Sequence, residues 1–442
     1  MYADRRIEPG ALVRFHERMR EQPHASTAHR IDVTPRRAPV DAPIEVRLSG
    51  FAPRSTLTLL ATLDDAKGRA WSSHAVFRTD ARGAVDLASE APLSGSYAGA
   101  DGEGIFWSLE PQGEGPRAPF DETSLAPLRI TLSAEVDGDV VATATVERHW
   151  VHADCRAIAL EEDGLVGTLF RPAGDGPFPT VLVVGGSAGG QVFADQCAAL
   201  LAGHGYASLA LSYFARERLP DHLVGIPLEY FARAMRWLRA QPCADDGGVA
   251  VVGRSRGGEL ALLLGATFPE VRAVVSYCPS HVVWGGVRNG QGVDESAWTF
   301  DGRAVPHVAP RLDPAQMGRI FGKRPVSLSP LFEAPLDPLA ASAATIPVER
   351  TRGPVVVFSG DDDKMWPAGR MCDAVIERLE AHRHPHAFAH HRYAGAGHLL
   401  RAPCVPTAVI DSPMLALGGE PRGQARANRQ SWTELLRALG SP

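Results

Sequence analysis

The chain has 442 residues, 45% of them hydrophobic and 22% charged. This composition is that of an ordinary soluble protein and excludes disorder along the whole chain, and the length predicts two or three domains. Because 45 Lys and Arg stand against 51 Asp and Glu, the formal net charge is −6; this excludes the basic surface of a typical nucleic-acid-binding protein.

The sequence carries no signal that directs the chain into or across a membrane. No apolar run reaches the roughly 20 residues that a membrane-spanning helix needs. The first ten residues lack the apolar core of a secretory signal, and the final Ala-Leu-Gly-Ser-Pro is not a peroxisomal signal. The six cysteines include no Cys-x-x-Cys pair, so we expect buried, reduced thiols. These features predict a cytoplasmic protein.

The first 150 residues divide into an extension and a predicted β domain. Residues 1–29 are rich in Arg, His and Glu, and we assign them no chemistry. Over residues 30–150 apolar and polar residues alternate with the two-residue period of half-buried strands. Asp137 and Gly138 separate two such runs, which is a strong hairpin signal because Gly accepts the positive φ of a tight turn. We expect an Ig-like all-β sandwich.

Residues 151–442 have the pattern of an α/β domain. Continuous apolar runs such as PTVLVVGG and GPVVVFSG alternate with helical stretches, one of which carries Leu228, Phe231, Met235 and Leu238 on one face. Buried strands that alternate with helices predict a parallel sheet covered on both faces. Ligands of such sheets bind beyond the carboxyl ends of the strands, so the chemistry is expected directly after the apolar runs.

The first candidate for chemistry lies between the apolar run GVAVV and the helical stretch ELALLLGA. Residues 253–257 read Gly-Arg-Ser-Arg-Gly, the G-x-S-x-G pattern of a nucleophile elbow in the strand–turn–helix context that it requires. The pattern predicts Ser255 as a nucleophile and the backbone N–H of Arg256, at a helix N-terminus, as an oxyanion donor. The alternative is a glycine-rich turn in which Ser255 only caps the helix.

A serine nucleophile needs a histidine base that a carboxylate orients. In this fold class the acid follows the serine in the sequence and precedes the histidine. Asp363 lies three residues after the strand-ending Gly360 and four before Pro367, which is the spacing in many such hydrolases, whereas Asp361 and Asp362 do not fit. The alternatives are a solvated acidic loop and a metal site built from the three aspartates.

His398 is the predicted base. It follows the last apolar run in the sequence Gly-Ala-Gly-His, where glycines leave the imidazole free to reach the elbow. Other histidines precede it, with no carboxylate or cysteine at metal-ligand spacing. We expect them to be solvated or to lie on an edge strand, and we expect no metal site. They are His382, His384, His386, His390 and His391.

A glycine-rich loop at residues 185–190 follows an earlier apolar run and reads Gly-Gly-Ser-Ala-Gly-Gly. In this fold class the second oxyanion donor comes from such a loop, and we predict the N–H of Ser187. A phosphate-binding loop is the rival interpretation, but no Gly-Lys-Ser/Thr follows. The sequence therefore predicts no bound cofactor.

These motifs and their surroundings resemble the acyl-CoA thioesterases of the group that includes bile-acid-CoA:amino-acid N-acyltransferase. The resemblance covers about residues 30–442. In the first half the stretch SGSYAGADGEGIFWSLEP resembles part of that family's N-terminal β-sandwich. In the second half the resemblance rests on LPDHLVGIPLEYFARAMRWL, VVGRSRGGEL, IPVERTRGPVVVFSGDDDKMWP, YAGAGHLL and GGEPRGQARANRQSWTELLRAL.

The resemblance implies hydrolysis of an acyl-CoA thioester through an acyl-enzyme. The family's Ser-Asp-His triad falls on Ser255, Asp363 and His398. The members that conjugate amino acids are similar but usually carry Cys as the nucleophile, so Ser255 favours water as the acceptor. Arg254 within the elbow and Arg401–Cys404 after the histidine depart from the family pattern and bear on the acyl or acceptor preference.

Other functions stay open at this point. An acyltransferase would pass the acyl group to an amine or alcohol, a carboxylesterase or dienelactone-type hydrolase would show no preference for CoA, and a scaffold would use the β domain to bind a partner. Residues 281–345, with Trp284 and Trp298, are a candidate cap over the acyl chain. A packed insertion without substrate contact is the alternative.

Overall fold

The computed structural model describes residues 29–440, apart from 116, 122, 188, 190, 310–317, 319–321, 323 and 334–337. Residues 1–28 of the predicted extension therefore lie outside the described residues. The described residues fall into two compact units. The first contains residues 29–37, 43–117 and 128–147, and the second contains residues 38–42, 118–127 and 148–440. The domain limits at residues 29 and 150 stay predictions.

The first unit is built from antiparallel sheets, as the alternating sequence predicts. One sheet has the strand order β1-β3-β6, and a larger one has the order β2-β10-β9-β4-β5-β7, with β8 paired to β5. The elements up to residue 149 are β1 (Arg30–Thr34), β2 (Arg37–Pro39), β3 (Glu45–Ser49), β4 (Thr56–Asp64), β5 (Ala70–Arg78), β6 (Val85–Asp86), β7 (Ser94–Gly95), α1 (Gly104–Trp107), β8 (Glu110–Pro111), β9 (Leu128–Val136) and β10 (Asp139–His149). The last two residues of β2 and of β10 are assigned to the second unit.

The strand pattern and the hairpin of this unit agree with the sequence. In β3, Val46 and Leu48 are buried while Glu45 and Arg47 are exposed, so one face of the strand joins the core. Residues 137–138 connect β9 and β10 with φ values of 53° and 91°. Positive φ at both central residues is typical of the type I′ turn, one of the two turns that two-residue hairpins favour. The predicted hairpin is confirmed.

The second unit contains a long mixed sheet with helices packed on it. Among the described residues its strand order is β11-β12-β14-β13-β16-β17-β22-β23, antiparallel up to β14 and parallel from there to β23. The strands of this sheet are β11 (Cys155–Leu160), β12 (Val166–Pro172), β13 (Phe178–Val184), β14 (Ala207–Ser212), β16 (Ala244–Arg254), β17 (Val271–Tyr277), β22 (Val355–Gly360) and β23 (Phe388–Tyr393). Two small sheets are formed by β15 (Ile226–Pro227) with β20 (Trp298–Phe300) and β21 (Arg303–Ala304), and by β18 (Gly285–Arg288) with β19 (Gln291–Ser296).

Helices follow the parallel strands, as expected for βαβ connections. They are α2 (Val192–Gly203), α3 (Leu228–Arg239), α4 (Arg256–Thr267), α5 (Ser329–Glu333), α6 (Pro338–Ala344), a 3₁₀ turn (Val348–Arg350), α7 (Ala368–Ala381) and α8 (Pro421–Leu439). The predicted stripe of α3 is buried in the core: Leu228, Phe231, Met235 and Leu238 are each at most 1% exposed. Together with the buried residues of β13, β16, β17 and β22, this confirms the predicted α/β fold.

The candidate cap consists of short strands and helices instead of a regular layer. It includes β18–β21, α5 and α6, and part of it lies outside the described residues. Trp284 and Trp298 are 1% and 0% exposed. Their burial favours the alternative of a packed insertion for this part of the segment.

The exposure of the six cysteines can be compared with the prediction that all of them are buried. Cys197, Cys243, Cys278 and Cys372 are buried thiols as expected, whereas Cys155 and Cys404 are partly exposed. The expectation of burial is therefore wrong for these two. Within the described residues, every helix is too short or too polar to span a bilayer.

Candidate active site

Ser255 lies in a sharp turn between β16 and α4. Its backbone has φ 58° and ψ −121°, a strained conformation for a residue with a side chain. Glycines make the turn possible: a Cβ on Gly253 would meet the Gly257 carbonyl oxygen at 2.0 Å, and one on Gly257 would meet the Gly185 carbonyl oxygen at 2.1 Å. The strand–turn–helix context of the elbow is therefore present.

The structure brings the three predicted catalytic side chains together. Ser255 Oγ lies 2.9 Å from His398 Nε2, and His398 Nδ1 lies 2.7 Å from Asp363 Oδ2. The serine follows β16, the aspartate follows β22 and the histidine follows β23, so all three project from carboxyl ends of parallel strands. Arrival from three separate strand ends is the placement that the sequence predicts.

The hydrogen bonds assign a tautomer to the imidazole. Asp363 offers only acceptors as a carboxylate, so Nδ1 of His398 carries the proton and Nε2 can accept from the Ser255 hydroxyl. The histidine is 8% exposed and the aspartate side chain 2% exposed. Low exposure keeps water from competing for these bonds and strengthens them.

Each aspartate of the loop after β22 has a different partner. Asp363 Oδ1 also accepts the N–H groups of Met365 and Trp366, at 2.8 and 3.2 Å, which fixes the carboxylate towards His398. Asp361 accepts the N–H of Gly395, and Asp362 pairs with Lys364 and accepts the N–H of Gly419. Partners in three directions speak against the alternative of one metal site held by all three carboxylates.

The two predicted oxyanion donors lie at the start of α4 and in the glycine-rich loop, on either side of Ser255 in the sequence. Arg256 is the first residue of α4, so its N–H has no partner within the helix. A Cβ on Gly186 would lie 3.2 Å from Ser255 Cβ, so the loop runs directly beside the serine. Tyr213 donates to the Gly185 carbonyl at 2.6 Å and fixes the loop. The N–H of Ser187 as second donor stays a prediction.

Two of the other histidines are not solvated. His384 is 7% exposed and bonds to the Gly353 carbonyl, so the expectation for it is wrong. His390 lies on the edge strand β23, as expected, but its ring is also buried and bonded: Nε2 lies 2.7 Å from Ser359 Oγ, and Nδ1 lies 2.8 Å from Asp373 Oδ1. These three side chains form a second Ser-His-Asp arrangement that the sequence analysis missed.

The second arrangement lacks the surroundings that make a serine reactive. Ser359 is 0% exposed and lies inside β22, not in a turn before a helix. Its buried hydroxyl is closed to a substrate in this conformation, and its place within a strand differs from the place of Ser255 at the start of a helix. Burial lowers the pKa of His390, although Asp373 opposes this effect. We interpret this arrangement as a buried polar tie between strands β22 and β23.

A buried cysteine beside the triad escaped the sequence analysis. The thiol of Cys278 contacts the His398 carbonyl at 3.6 Å, and the ligand atoms of Cys278, Asp363 and His398 lie within 4.8 Å of one another. Burial and the nearby Asp363 raise the pKa of Cys278 well above its ordinary value, so with no bound cation it is a neutral thiol. The available signal was its position directly after β17.

The second missed contact involves the unusual arginine of the elbow. The Arg254 guanidinium lies 4.5 Å from the ring centre of Phe193, in cation–π geometry. Burial lowers its pKa. Arg401, the other departure from the family pattern, is 6% exposed and donates to the Pro406 carbonyl.

A serine elbow, followed in sequence by an acid and a histidine at neighbouring strand ends of such a sheet, defines an α/β-hydrolase. Two family models match this chain. Residues 41–162 match the acyl-CoA thioester hydrolase/BAAT N-terminal region, and residues 226–440 match the BAAT/acyl-CoA thioester hydrolase C-terminal region. The chain belongs to this family.

Curated relatives match along nearly the whole chain. Acyl-coenzyme A thioesterase 1 of Homo sapiens is 30% identical over 89% of this chain and 92% of its own length. The mitochondrial acyl-coenzyme A thioesterase 2 of Mus musculus is 30% identical over 89% of this chain and 85% of its own. The peroxisomal succinyl-coenzyme A thioesterase of Mus musculus is 28% identical over 90% and 93%.

Solved structures with weaker likeness include other hydrolases. A puromycin-hydrolyzing peptidase of Mycobacterium tuberculosis is 14% identical with a TM-score of 0.42, over 89% of this chain and 54% of that one. A hyperthermophilic esterase of Pyrobaculum calidifontis is 15% identical with a TM-score of 0.38, over 66% and 87%.

Proposed function

We propose that this protein hydrolyses acyl-CoA thioesters to a free acid and CoA through an acyl-enzyme on Ser255. The observation that carries the proposal is the hydrogen-bonded row from Ser255 through His398 to Asp363, with spacings of 2.9 and 2.7 Å. Membership in a family named for acyl-CoA thioester hydrolysis supplies the substrate class. We propose Ser255 as the nucleophile, His398 as the base and Asp363 as the acid that orients it.

Acylation begins when Ser255 Oγ attacks the thioester carbonyl carbon. Nε2 of His398 accepts the hydroxyl proton, and Asp363 stabilises the imidazolium that forms. The C–S bond then breaks, and His398 returns the proton to the CoA sulfur, so that CoA leaves as a thiol. The acyl group stays on the serine as an ester.

The negative charge that develops on the carbonyl oxygen needs donors fixed in advance. We assign this role to the N–H of Arg256 and, in the glycine-rich loop, to the N–H of Ser187. Each such donor lowers the barrier by roughly 3–4 kcal/mol in well-studied hydrolases. The position of Arg256 at the start of α4 adds the favourable end of the helix dipole.

Deacylation repeats the sequence with water as the nucleophile. The water oxygen attacks the ester carbonyl while His398 accepts a proton from the water. His398 then returns that proton to Ser255 Oγ as the free acid leaves. The serine nucleophile favours water as the acceptor. We also propose a cytoplasmic location for this protein, although the curated relatives include proteins named as mitochondrial and peroxisomal.

The test compares two serines that both contact a histidine. Wild type, Ser255→Ala and Ser359→Ala are incubated with acyl-CoAs of graded chain length, and released thiol is followed colorimetrically. We expect Ser255→Ala to lower kcat by at least about 10³-fold and Ser359→Ala to change it less than about threefold. Loss of activity in Ser359→Ala alone would contradict the assignment of Ser255.

The products decide between hydrolysis and acyl transfer. Mass spectrometry of reactions with and without added amino acids measures the free acid against the conjugate. Hydrolysis predicts free acid at the same rate in both reactions, and a conjugate that forms faster than the acid would make the protein an acyltransferase. A plain carboxylesterase would turn over simple p-nitrophenyl esters as well as acyl-CoAs.

A further inference from the structure

The side chain of Arg256 ends in a buried ion pair one helical turn from the serine. Its Nη1 lies 3.0 Å from Glu259 Oε2, and the two side chains are 6% and 0% exposed. Its Nη2 donates to the carbonyl of Trp284 at 2.8 Å. The residue whose backbone N–H faces the proposed oxyanion is thus anchored through its side chain to a different segment of the chain.

Glu259 completes this anchor with two further bonds. It accepts the indole N–H of Trp298 at 2.9 Å and the backbone N–H of Trp284 at 3.3 Å. The indole of Trp284 in turn donates to Ser280 at 2.8 Å. The first turn of α4 is therefore tied to residues 280–298 by several buried bonds.

A buried ion pair needs a reason other than stability. Removing two charges from water costs about as much free energy as their attraction returns, and apolar residues of the same volume often stabilise a core as well. Here burial raises the pKa of Glu259 and lowers that of Arg256, which shows the cost of holding both charges. The pair gives instead a defined direction to the Arg256 side chain.

The backbone at this point requires such support. Ser255 has φ 58°, a conformation that costs energy for a residue with a side chain. The peptide between Ser255 and Arg256 carries the N–H of the proposed oxyanion donor, and a small rotation would turn it away from the substrate. An oxyanion donor is effective only when its direction is fixed before the reaction.

The same segment also contacts the opposite side of the triad through aromatic rings. Trp284 packs against Phe332 with ring centres 4.7 Å apart, Phe332 against Trp366 at 5.6 Å, and Trp366 against His398 at 5.8 Å. Trp284 therefore connects the turn that holds Arg256 to the ring of the proposed base.

We propose that the Arg256 side chain and Glu259 are positioning residues, which hold the Arg256 N–H in the oxyanion-binding direction by anchoring it to Trp284 and Trp298. This inference rests on the proposed function for its reaction. It adds a role for residues 280–298: they hold the first turn of α4 in place through Trp284 and Trp298 and do not cover the acyl chain.

The test uses Arg256→Lys, Arg256→Met and Glu259→Gln. Lysine retains a charge for Glu259 but loses the second arm to Trp284, whereas methionine loses both. We expect kcat to fall about 10-fold in Arg256→Lys and about 100-fold in the other two, with KM changed less than threefold. The affinity for a trifluoromethyl ketone analogue of the acyl-CoA, which forms an oxyanion on Ser255, should fall by the same factors.

A matched control separates positioning from general destabilisation. Arg378 and Glu349 form a two-armed ion pair between α7 and the 3₁₀ turn. Arg378→Lys also removes one arm of a two-armed ion pair, but that pair is partly exposed and distant from the serine in the sequence, so kcat should stay within twofold; the thermal midpoint is measured for both lysine variants. The proposal is overturned if both lysine variants have equal kcat, or if the affinity for the ketone is unchanged while kcat falls.

A second readout does not depend on the substrate class. A fluorophosphonate probe reacts with an activated serine through a charged phosphorus–oxygen transition state, so its labelling rate reports the oxyanion donors directly. We expect the labelling rate to decrease in the same order as kcat, from wild type to Arg256→Lys and then to Arg256→Met and Glu259→Gln. If wild type is labelled rapidly but releases no thiol from any acyl-CoA, the proposed function is wrong. The positioning role of Arg256 and Glu259 is then decided by the labelling rates alone, and equal rates in wild type and the variants would contradict it.

Discussion

Asp362 and Asp363 are adjacent in the sequence but their carboxylates serve different partners. Asp363 orients the proposed base, while Asp362 pairs with Lys364 and accepts the N–H of Gly419. Asp363→Asn should lower kcat about 10³- to 10⁴-fold, because an amide cannot hold the imidazole in the required tautomer or stabilise its charged form. Asp362→Asn should stay within about threefold of wild type in the thiol-release assay.

Thermal unfolding of both asparagine variants provides the control for this comparison. Both substitutions keep the size of the side chain, so their midpoints should differ from wild type by only a few degrees. Equal losses of kcat in the two variants would show that the loop as a whole, and not the Asp363 carboxylate, supports the chemistry.

Spacing along the sequence could predict that Ser255, Asp363 and His398 lie close together, because each comes within about five residues of the end of a strand in a parallel sheet. It could not predict the contacts of Cys278 or His390. Their partners come from other strands and helices, and the distances between those elements depend on packing that no local pattern records. Asp373, for example, reaches His390 from α7.

At the scale of elements, the turn before α4 and the glycine-rich loop are in direct backbone contact. A Cβ on Gly257 would lie 2.1 Å from the Gly185 carbonyl oxygen and 2.7 Å from that of Val184. Gly257→Ala must therefore push the loop away from Ser255. We expect unfolding free energy to fall by about 1–3 kcal/mol, as in other overpacked sites, and kcat to fall at least 10-fold.

Gly203→Ala is the matched control for the elbow substitution. Gly203 ends α2, and a Cβ there would meet His152 Cβ at 3.4 Å, an ordinary contact. Alanine should be neutral or stabilise by up to about 1 kcal/mol, because it restricts the unfolded chain. Urea unfolding and kcat are measured for both variants. Full activity in Gly257→Ala would mean that the loop does not contribute to the site.

Hydrophobic periodicity predicts the regular helices and strands, but it does not predict the structure of residues 281–345. The stripe of α3 and the apolar strands bury the residues that their spacing predicts. Residues 281–345 lack a clear period, and their strands form through distant partners: β20 pairs with β15, and Trp298 is buried against Glu259 of α4. The buried tryptophans of this segment bond to a glutamate that is distant in the sequence, and sequence patterns do not reveal such a contact.

For the whole molecule, the fold class could be predicted but the strand order could not. Alternating strands and helices specify a parallel sheet, since each crossover places the next strand alongside. They do not specify on which side of β13 each strand is added. In the structure β14 lies between β12 and β13, so that the sheet extends in both directions from β13. Hydrophobic patterns are the same for either order.

The stability of the second unit should depend on pH through Asp195 of α2. Burial raises the pKa of this carboxyl to about 6, although Gln191 donates to it at 3.0 Å. Between the ordinary aspartate pKa of about 4 and pH 6, the folded chain therefore holds a proton that the unfolded chain has released. The unfolding free energy contributed by this group falls as the pH rises through this interval and is constant above it.

Asp195→Asn cannot titrate and should lack this decline. Its unfolding free energy relative to wild type should increase from pH 4 to pH 7, as measured by urea unfolding at both pH values. Asp221→Asn, at an exposed position, makes the same change in net charge and serves as the control. Because burial penalises the charged form of Asp195 while Asp221 is exposed, the control should show a smaller pH-dependent gain. Parallel curves for the two variants would exclude Asp195 as the source.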